Sequence, residues 1–251
     1  MSDTVERFSN RVENYVKYRP NYPADVLALL SRECGLTKDT IVADIGCGPG
    51  TSTRIFLENG NRVFGVEPND AMRGAAIKQL EKFPWFIAVG GTAESTTLGD
   101  ASVNMVVAAQ AFHWFDPERT RAEFKRVLTP GGYIVLIWNE RQLDTTPFLV
   151  EYEALLLKYA NDYGNVRHEN IDTLELTEFF QKGYDSAAFD NVQIFDFEAL
   201  KGRLLSASYM PTEESEVYES MVEELRALFA KHNENGRIKV FYDTKVYYSQ
   251  V

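Results

Sequence analysis

The chain has 251 residues, a formal net charge of −11 and two cysteines, Cys34 and Cys47, which fit no metal-ligand spacing. A chain of this length can bury a large core without disulfide bonds. The negative charge and the lack of a basic patch argue against nucleic acid or a membrane as a partner. We find no signal peptide and no run of ~18 apolar residues, so we expect a cytoplasmic protein; its oligomeric state is left open.

The first half of the chain alternates helical and strand patterns. A helix is predicted over 23–35, where proline opens the first turn and glycine follows the end. Short β-branched runs predict strands at 40–45, 62–66, 85–89, 103–109 and 132–138. Helices are predicted between them at 51–60, 68–83 and 116–132, while 90–102 is predicted to be a loop or a short helix. This order predicts an α/β fold with a mostly parallel sheet and helices on both faces.

After Trp138 the pattern changes. Helices are predicted at 147–160, 173–183 and 212–232, and strands at 190–198 and 238–250. We interpret 1–251 as a single domain. Its core comprises 36–140 and the two C-terminal strands, and its helical cap comprises 1–22, 139–183 and 198–232.

The turn in ADIGCGPGTST follows the first predicted strand and contains Gly46, Gly48 and Gly50. Such a turn brings the backbone close to a ligand and presents helix N-terminal amides to it. A dinucleotide fingerprint has glycine at its first, third and sixth positions, but the sixth position counted from Gly46 is Thr51. Asp44 is better placed for an ammonium group than for a pyrophosphate, and local capping is its alternative role. The turn therefore argues against NAD.

ADIGCGPGTST resembles the first motif of class I S-adenosylmethionine-dependent methyltransferases. The resemblance implies S-adenosyl-L-methionine as the cofactor, with the glycines packed against its methionyl and ribose parts. It implies a Rossmann-like, doubly wound, mostly parallel seven-stranded sheet with an antiparallel strand at the C-terminus. FSNRVENYVKYRPNYP, AFHWFD and LLSASYMP resemble the branch that includes trans-aconitate methyltransferase and related small-molecule methyltransferases.

Further cofactor-binding residues follow from the same resemblance. Glu67 ends the second strand 21 residues after Gly46, where an acidic side chain accepts hydrogen bonds from ribose hydroxyls, a feature that NAD enzymes share. GGTAEST resembles the segment that reads adenine, which implies this role for Thr92, Ala93 and Glu94. Thr92 stands where the family has an acidic residue. The strand in VNMVVAAQAFHWFD resembles the fourth family strand and adds Gln110.

Arg19 and His113 each have one interpretation with a role in binding or catalysis and one without such a role. Arg19 pairs with the methionyl carboxylate if the N-terminal segment folds over the cofactor, and otherwise it is a solvated side chain. His113 follows the fourth strand, where the crevice of an open parallel sheet lies, and acts either as a general base or as a buttress of its loop. Nearby aromatic residues either wall the pocket, Tyr22 and Trp138 first, or belong to the core. The candidates are Tyr15, Tyr18, Tyr22, Phe112, Trp114 and Trp138.

Methyl transfer from a sulfonium is an in-line displacement, so alignment and exclusion of water dominate. We predict an enzyme that methylates oxygen in a carboxylate or hydroxyl group of a small molecule, without a metal. The alternatives are C-methylation of a quinone-like or isoprenoid acceptor and an NAD-dependent oxidoreductase. A carboxylate would take partners such as Arg19, Arg141 or Arg203, none of which the sequence places, whereas a phenol or quinone would use His113.

Overall fold

The computed structural model describes residues 12–161 and 173–251. Seven strands form one sheet: β1 (Ile41–Ile45), β2 (Arg62–Val66), β3 (Phe86–Val89), β4 (Val103–Ala109), β5 (Leu128–Arg141), β6 (Asp185–Phe195) and β7 (Ile238–Gln250). Their spatial order is β3-β2-β1-β4-β5-β7-β6. The first five strands pair in parallel, and β7 runs antiparallel to both β5 and β6. The predicted mostly parallel sheet with an antiparallel C-terminal strand is confirmed.

The helices of the described residues lie mainly between the strands. They are α1 (Val12–Tyr18), α2 (Ala24–Glu33), α3 (Thr51–Asn59), α4 (Asp70–Gln79), α5 (Pro117–Val127), α6 (Pro147–Tyr159), α7 (Thr173–Phe180), α8 (Phe197–Leu205) and α9 (Tyr218–His232). The start of α5 follows its sequence signal, because the Asp116 side chain accepts a hydrogen bond from the Arg119 N–H at 3.1 Å and Pro117 takes the first helical position. No helix in 12–161 or 173–251 is long and apolar enough to span a membrane.

Some boundaries differ from the prediction in the C-terminal part. β6 occupies 185–195 rather than 190–198, because the Asp196 side chain accepts a hydrogen bond from the Ala199 N–H at 2.9 Å and starts α8. The helix predicted at 212–232 begins at Tyr218. β5 extends beyond the predicted 132–138 because β7 pairs with it as far as Arg141. Residues 1–11 of the predicted cap and 162–172 lie outside the described residues.

Apolar side chains form three clusters. The first covers one face of the sheet around Phe112, Phe124 and Trp138, and another covers the opposite face around Phe56 and Val42. The remaining cluster joins α6, α8 and α9 to parts of β6 and β7. The sheet is therefore buried on both faces at its centre, which leaves the strand ends as the place where a ligand can enter.

The order of the strands creates a switch point between β1 and β4. The chain proceeds from β1 to β2 and β3 on one side, and then returns to place β4 on the other side of β1. The helices that follow β1 and β4 thus depart to different sides, and a crevice forms outside the carboxyl ends of these two strands. The glycine turn after β1 and the loop after β4 both lie at this crevice.

Candidate active site

A cavity of about 200 Å³, here called the strand-end cavity, lies beyond the carboxyl ends of β1 to β4. Most of the predicted cofactor-binding residues line it: Gly46, Gly48, Glu67, Thr92, Ala93, Glu94 and Gln110. The described residues Arg19, Asp44, Gly50 and His113 lie outside its walls. The structure thus separates the predicted residues into one group at the cavity and another behind or beside it.

The three glycines of the turn have left-handed backbones and different surroundings. A Cβ atom on Gly46 would lie 2.7 Å from the Ala111 Cβ, and one on Gly50 would lie 2.6 Å from the Leu80 Cδ1. A Cβ atom on Gly48 would meet nothing within 4 Å. Close packing and a φ of +68° therefore both require glycine at position 46, and the φ of +91° favours it at position 50, whereas the turn at Gly48 leaves open space for a ligand.

Glu67 links the glycine turn to the segment that follows β2. One carboxylate oxygen accepts a hydrogen bond from the Gly48 N–H and the other from the Asn69 N–H, both at 2.9 Å. The side chain is only 7% exposed, and burial raises the pKa of this carboxyl despite the two backbone hydrogen bonds. Each oxygen has a further lone pair, so Glu67 can still accept hydrogen bonds from two hydroxyl groups.

Asp44 is completely buried at the end of β1. Its Oδ2 accepts hydrogen bonds from the Ser52 Oγ at 2.7 Å and the Thr53 Oγ1 at 2.6 Å, so this oxygen ties the strand to the first turn of α3. Its Oδ1 has no hydrogen-bond partner among the described residues. Burial raises the pKa of Asp44 to about 6, although the two hydroxyl groups oppose the rise. The contacts of Oδ2 match local capping, while an ammonium partner for Oδ1 stays a prediction.

The segment after β3 is a loop, as one of the two predicted alternatives has it. Backbone hydrogen bonds connect Thr92 and Ser95 in both directions, at 3.1 and 3.3 Å. The Glu94 carboxylate accepts a hydrogen bond from the Asp116 N–H at 3.0 Å. Gln110 lies across the cavity with a φ of 56°, and its side-chain amide donates to the Asn139 carbonyl at 3.1 Å. These hydrogen bonds hold the loop after β3 on one side of the cavity and Gln110 on the other side.

Arg19 and His113 lie beside the cavity. The Arg19 guanidinium stacks 4.8 Å from the ring centroid of Tyr15, which lines the cavity, and donates to the Ser206 carbonyl at 3.1 Å. His113 belongs to the short 3₁₀ turn Phe112–Trp114, and its ring centroid lies 4.8 Å from that of Trp114. Burial, together with the positive charge of Arg19, lowers the pKa of His113 to about 4. The imidazole is therefore neutral near pH 7, but it is a weak base.

The structure places some of the candidate aromatic residues in the core and others at the cavity, and the two predicted first for the pocket are in the first group. Trp138 is fully buried and packs edge-to-face on Phe112 and Tyr247, with centroid distances of 6.2 and 5.9 Å, so its pocket interpretation is wrong. It lies on β5, a strand paired on both sides and covered by the first apolar cluster. Tyr22 packs against the cluster on the opposite face. Two other predicted candidates, Tyr15 and Trp114, do line the cavity, together with Phe115, which the sequence did not single out.

Sequence reasoning missed Asn69 and Met72, which also line the cavity. The Asn69 side chain accepts a hydrogen bond from the Met72 N–H at 3.0 Å and so starts α4. The available signal was a helix cap only two residues after Glu67, since a cap so close to a strand end must lie near the ligand side of the sheet.

Known proteins resemble this chain in sequence and in fold. Residues 43–136 match the model of the family described as a methyltransferase domain. A methyltransferase-like protein of Schizosaccharomyces pombe, C25B8.10, is 28% identical over 251 residues, which is 98% of this chain and 96% of that protein. The methyltransferase Rv3342 of Mycobacterium tuberculosis is 29% identical over 236 residues, 91% of this chain and 89% of its own. The YcgJ protein of Bacillus subtilis shares the fold with a TM-score of 0.59 at 20% identity, covering 91% of this chain and 98% of that one.

The match and the relatives define the class of the protein. The chain is an S-adenosylmethionine-dependent methyltransferase and is similar to class I of these enzymes, as the glycine turn had indicated. S-adenosylmethionine is therefore its cofactor, and the comparisons support this enzyme class over the NAD-dependent oxidoreductase alternative. The names of these relatives specify neither an acceptor nor the trans-aconitate branch.

Proposed function

We propose that the strand-end cavity binds S-adenosylmethionine, with its ribose hydroxyls on Glu67 and its adenine along the 92–94 loop. Two observations support this assignment: the open space over Gly48, and the remaining acceptor capacity of a carboxylate already oriented by two backbone N–H groups. Gly46 brings the turn against Ala111, so bare backbone forms the floor of the site. Asp44 and Arg19, which lie just behind the cavity walls, bind the ammonium and carboxylate of the methionyl group.

We further propose that the acceptor is a small molecule methylated on oxygen, at a carboxylate or hydroxyl group, as in the branch that the N-terminal and AFHWFD motifs resemble. The cofactor supplies a methyl group on a positively charged sulfur. A carboxylate oxygen attacks the methyl carbon, an O–C bond forms, and the C–S bond breaks with its electron pair on sulfur. The products are a methyl ester and S-adenosylhomocysteine, and no proton is released.

The character of His113 favours a carboxylate over a hydroxyl group. A hydroxyl acceptor must lose its proton, and a base with a pKa of about 4 is poorly matched to that task near pH 7. A carboxylate arrives already deprotonated and needs only alignment next to the methyl group. His113 then serves to hold the loop after β4, where its ring lies against Trp114.

Incubation with methyl-labelled cofactor and a panel of carboxylic acids and phenols tests the proposal. We expect label in a methyl ester that alkali hydrolyses. Label in an alkali-stable ether instead points to a hydroxyl acceptor, and label on carbon points to the quinone-like alternative, for which the aromatic wall of Tyr15, Trp114 and Phe115 provides an apolar surface. Labelled methyl groups found only on carbon atoms of the acceptor, and none on oxygen, would contradict O-methylation.

A further inference from the structure

The loop of residues 90–97 after β3, here called the base loop, folds back on itself so that its two ends touch. A Cβ atom on Gly91 would lie only 2.8 Å from the Thr96 carbonyl oxygen, so the backbones are in close contact there. Residues 92–94, which we assign to the adenine, form the tip between these ends. The position of Thr96 therefore decides where the tip lies.

The backbone directly after this contact is strained. Thr97 has a φ of 63°, a left-handed value that a β-branched residue rarely adopts. Its hydroxyl donates to the Gly90 carbonyl at 3.3 Å, which closes the loop a second time. A strained backbone of this kind persists only where the surrounding structure holds it. The base loop therefore needs an anchor outside itself.

Glu123 of α5 provides that anchor. Its Oε1 accepts hydrogen bonds from the Thr96 N–H at 2.8 Å and from the Thr96 hydroxyl at 2.6 Å. Thr96 is completely buried, and a buried N–H without a partner would be costly. One carboxylate oxygen thus holds both donors of the residue against which Gly91 packs.

Arg126 holds Glu123 in place from the next turn of α5. Its Nε donates to the Glu123 Oε2 at 2.8 Å and its Nη2 to Oε1 at 2.7 Å, so the two groups form a pair with two contacts. The guanidinium also donates to the Leu98 carbonyl at 2.8 Å and pairs with Asp100. The hydrogen bonds from Arg126 lower the pKa of the Glu123 carboxyl to about 2, so Glu123 is ionised near pH 7.

The opposite end of α5 is attached to the tip of the base loop. The Glu94 carboxylate accepts a hydrogen bond from the N–H of Asp116, the residue that caps α5. The helix therefore holds the loop at two points, one at its start and one near its end. The buried Phe124 fastens α5 to the first apolar cluster on the sheet. The base loop is thus fixed relative to the strands through α5.

We propose that Glu123, held by Arg126, is a positioning residue for the cofactor, because it sets the base loop so that residues 92–94 meet the edge of the adenine. This inference rests on the proposed function, which places the adenine along this loop. Glu123 is not among the residues that line the strand-end cavity, so it acts through Thr96. Adenine presents an amino group beside a ring nitrogen acceptor, whereas hypoxanthine presents a carbonyl beside an N–H. A loop held in one position distinguishes these edges, and a loosened loop does so less well.

Calorimetry on the full chain tests the proposal with two ligands, S-adenosylhomocysteine and the same compound with hypoxanthine in place of adenine. We expect the wild type to bind the adenine compound more tightly. Glu123→Ala should raise the dissociation constant of the adenine compound by about 10- to 100-fold, the loss expected for one or two hydrogen bonds at the base, and that of the hypoxanthine compound much less. The preference for adenine should therefore decrease, which a uniform loss of structure would not cause.

Two further variants separate this role from a general effect of substitution in α5. Glu118→Ala removes an exposed carboxylate from the same helix, and both dissociation constants should equal those of the wild type. Thr96→Val keeps the branched shape of the side chain and removes the hydroxyl that donates to Glu123. It should reduce the preference for adenine by less than Glu123→Ala does, and it replaces that variant if Glu123→Ala does not fold.

Failure of this inference and failure of the proposed function give different results. An unchanged preference for adenine in Glu123→Ala overturns the positioning role and leaves the assignment of the cavity in place. Equal weakening of both compounds gives Glu123 a role in stability alone and also overturns the inference. If the wild type binds the two compounds equally well, residues 92–94 do not read the base, and the inference fails together with the assignment of the adenine.

Discussion

Asp44→Asn should change the pH dependence of folding by a predictable amount. Asp44 is buried, and the folded protein raises the pKa of its carboxyl from 3.8 to about 6. The folded state therefore binds a proton more tightly than the unfolded state between these pH values, and stability falls as the pH rises through this window. At about 1.36 kcal/mol per pKa unit, the ionised carboxyl costs about 3 kcal/mol of stability above pH 6.

Urea unfolding of wild type and Asp44→Asn at pH 4.0, 5.0, 6.0 and 7.5 measures this cost. Asparagine does not ionise, so the stability of the variant relative to wild type should increase by about 2.4 kcal/mol from pH 4.0 to 7.5, the remainder of the cost falling below pH 4.0. Exposed Asp39→Asn is the control for removal of a carboxylate. A difference between wild type and Asp44→Asn that stays constant over this range would refute the reasoning. If Asp44 binds the ammonium of the cofactor, the same variant binds S-adenosylhomocysteine more weakly at pH 7.5.

Two further predictions concern the turn and the loop after β4. Gly46→Ala should lower the melting temperature more than Gly48→Ala. Both positions have positive φ, but only a Cβ atom at position 46 clashes, 2.7 Å from the Ala111 Cβ, and this clash adds about 1–3 kcal/mol to the loss of stability. Equal losses in the two variants would contradict this prediction. His113→Gln should leave methylation of a carboxylic acid within a few-fold of wild type from pH 6 to 9. If a hydroxyl compound proves to be the acceptor, the same variant should lose about 10²- to 10⁴-fold in kcat, and unchanged turnover there would remove the base role.

The sequence predicted the parallel core well because its signals are local. The strands at 62–66 and 103–109 match the structure residue for residue, since short β-branched runs between glycine and helix signals admit few other structures. The start of α5 also follows directly from Asp116 and Pro117. By contrast, β6 was placed five residues late, because its alternating and partly polar sequence is stabilised by pairing with the distant β7.

The functional residues show the same contrast between local sequence signals and packing of distant residues. The motif positions Gly46, Gly48 and Glu67 line the cavity because a turn after a strand has little freedom. Asp44 and Trp138 could not be placed from sequence, since each can face either a ligand or the interior, and distant packing decides. The proximity of Arg19 to Arg203 was equally invisible, because it depends on Tyr18 packing against Gly202, more than 180 residues away in sequence.

The measurement that tests the central claim most directly is a calorimetric titration of wild type and Glu67→Gln with S-adenosylhomocysteine. The Glu67→Gln variant has lost one of the two acceptor oxygens that Gly48 and Asn69 now use, and it presents an amide donor to the ribose. We predict binding to the wild type, a dissociation constant about 10- to 100-fold higher for the variant, and no heat with reduced nicotinamide dinucleotide. Equal affinity for the two proteins would contradict the assignment of this cavity and of Glu67 to the cofactor.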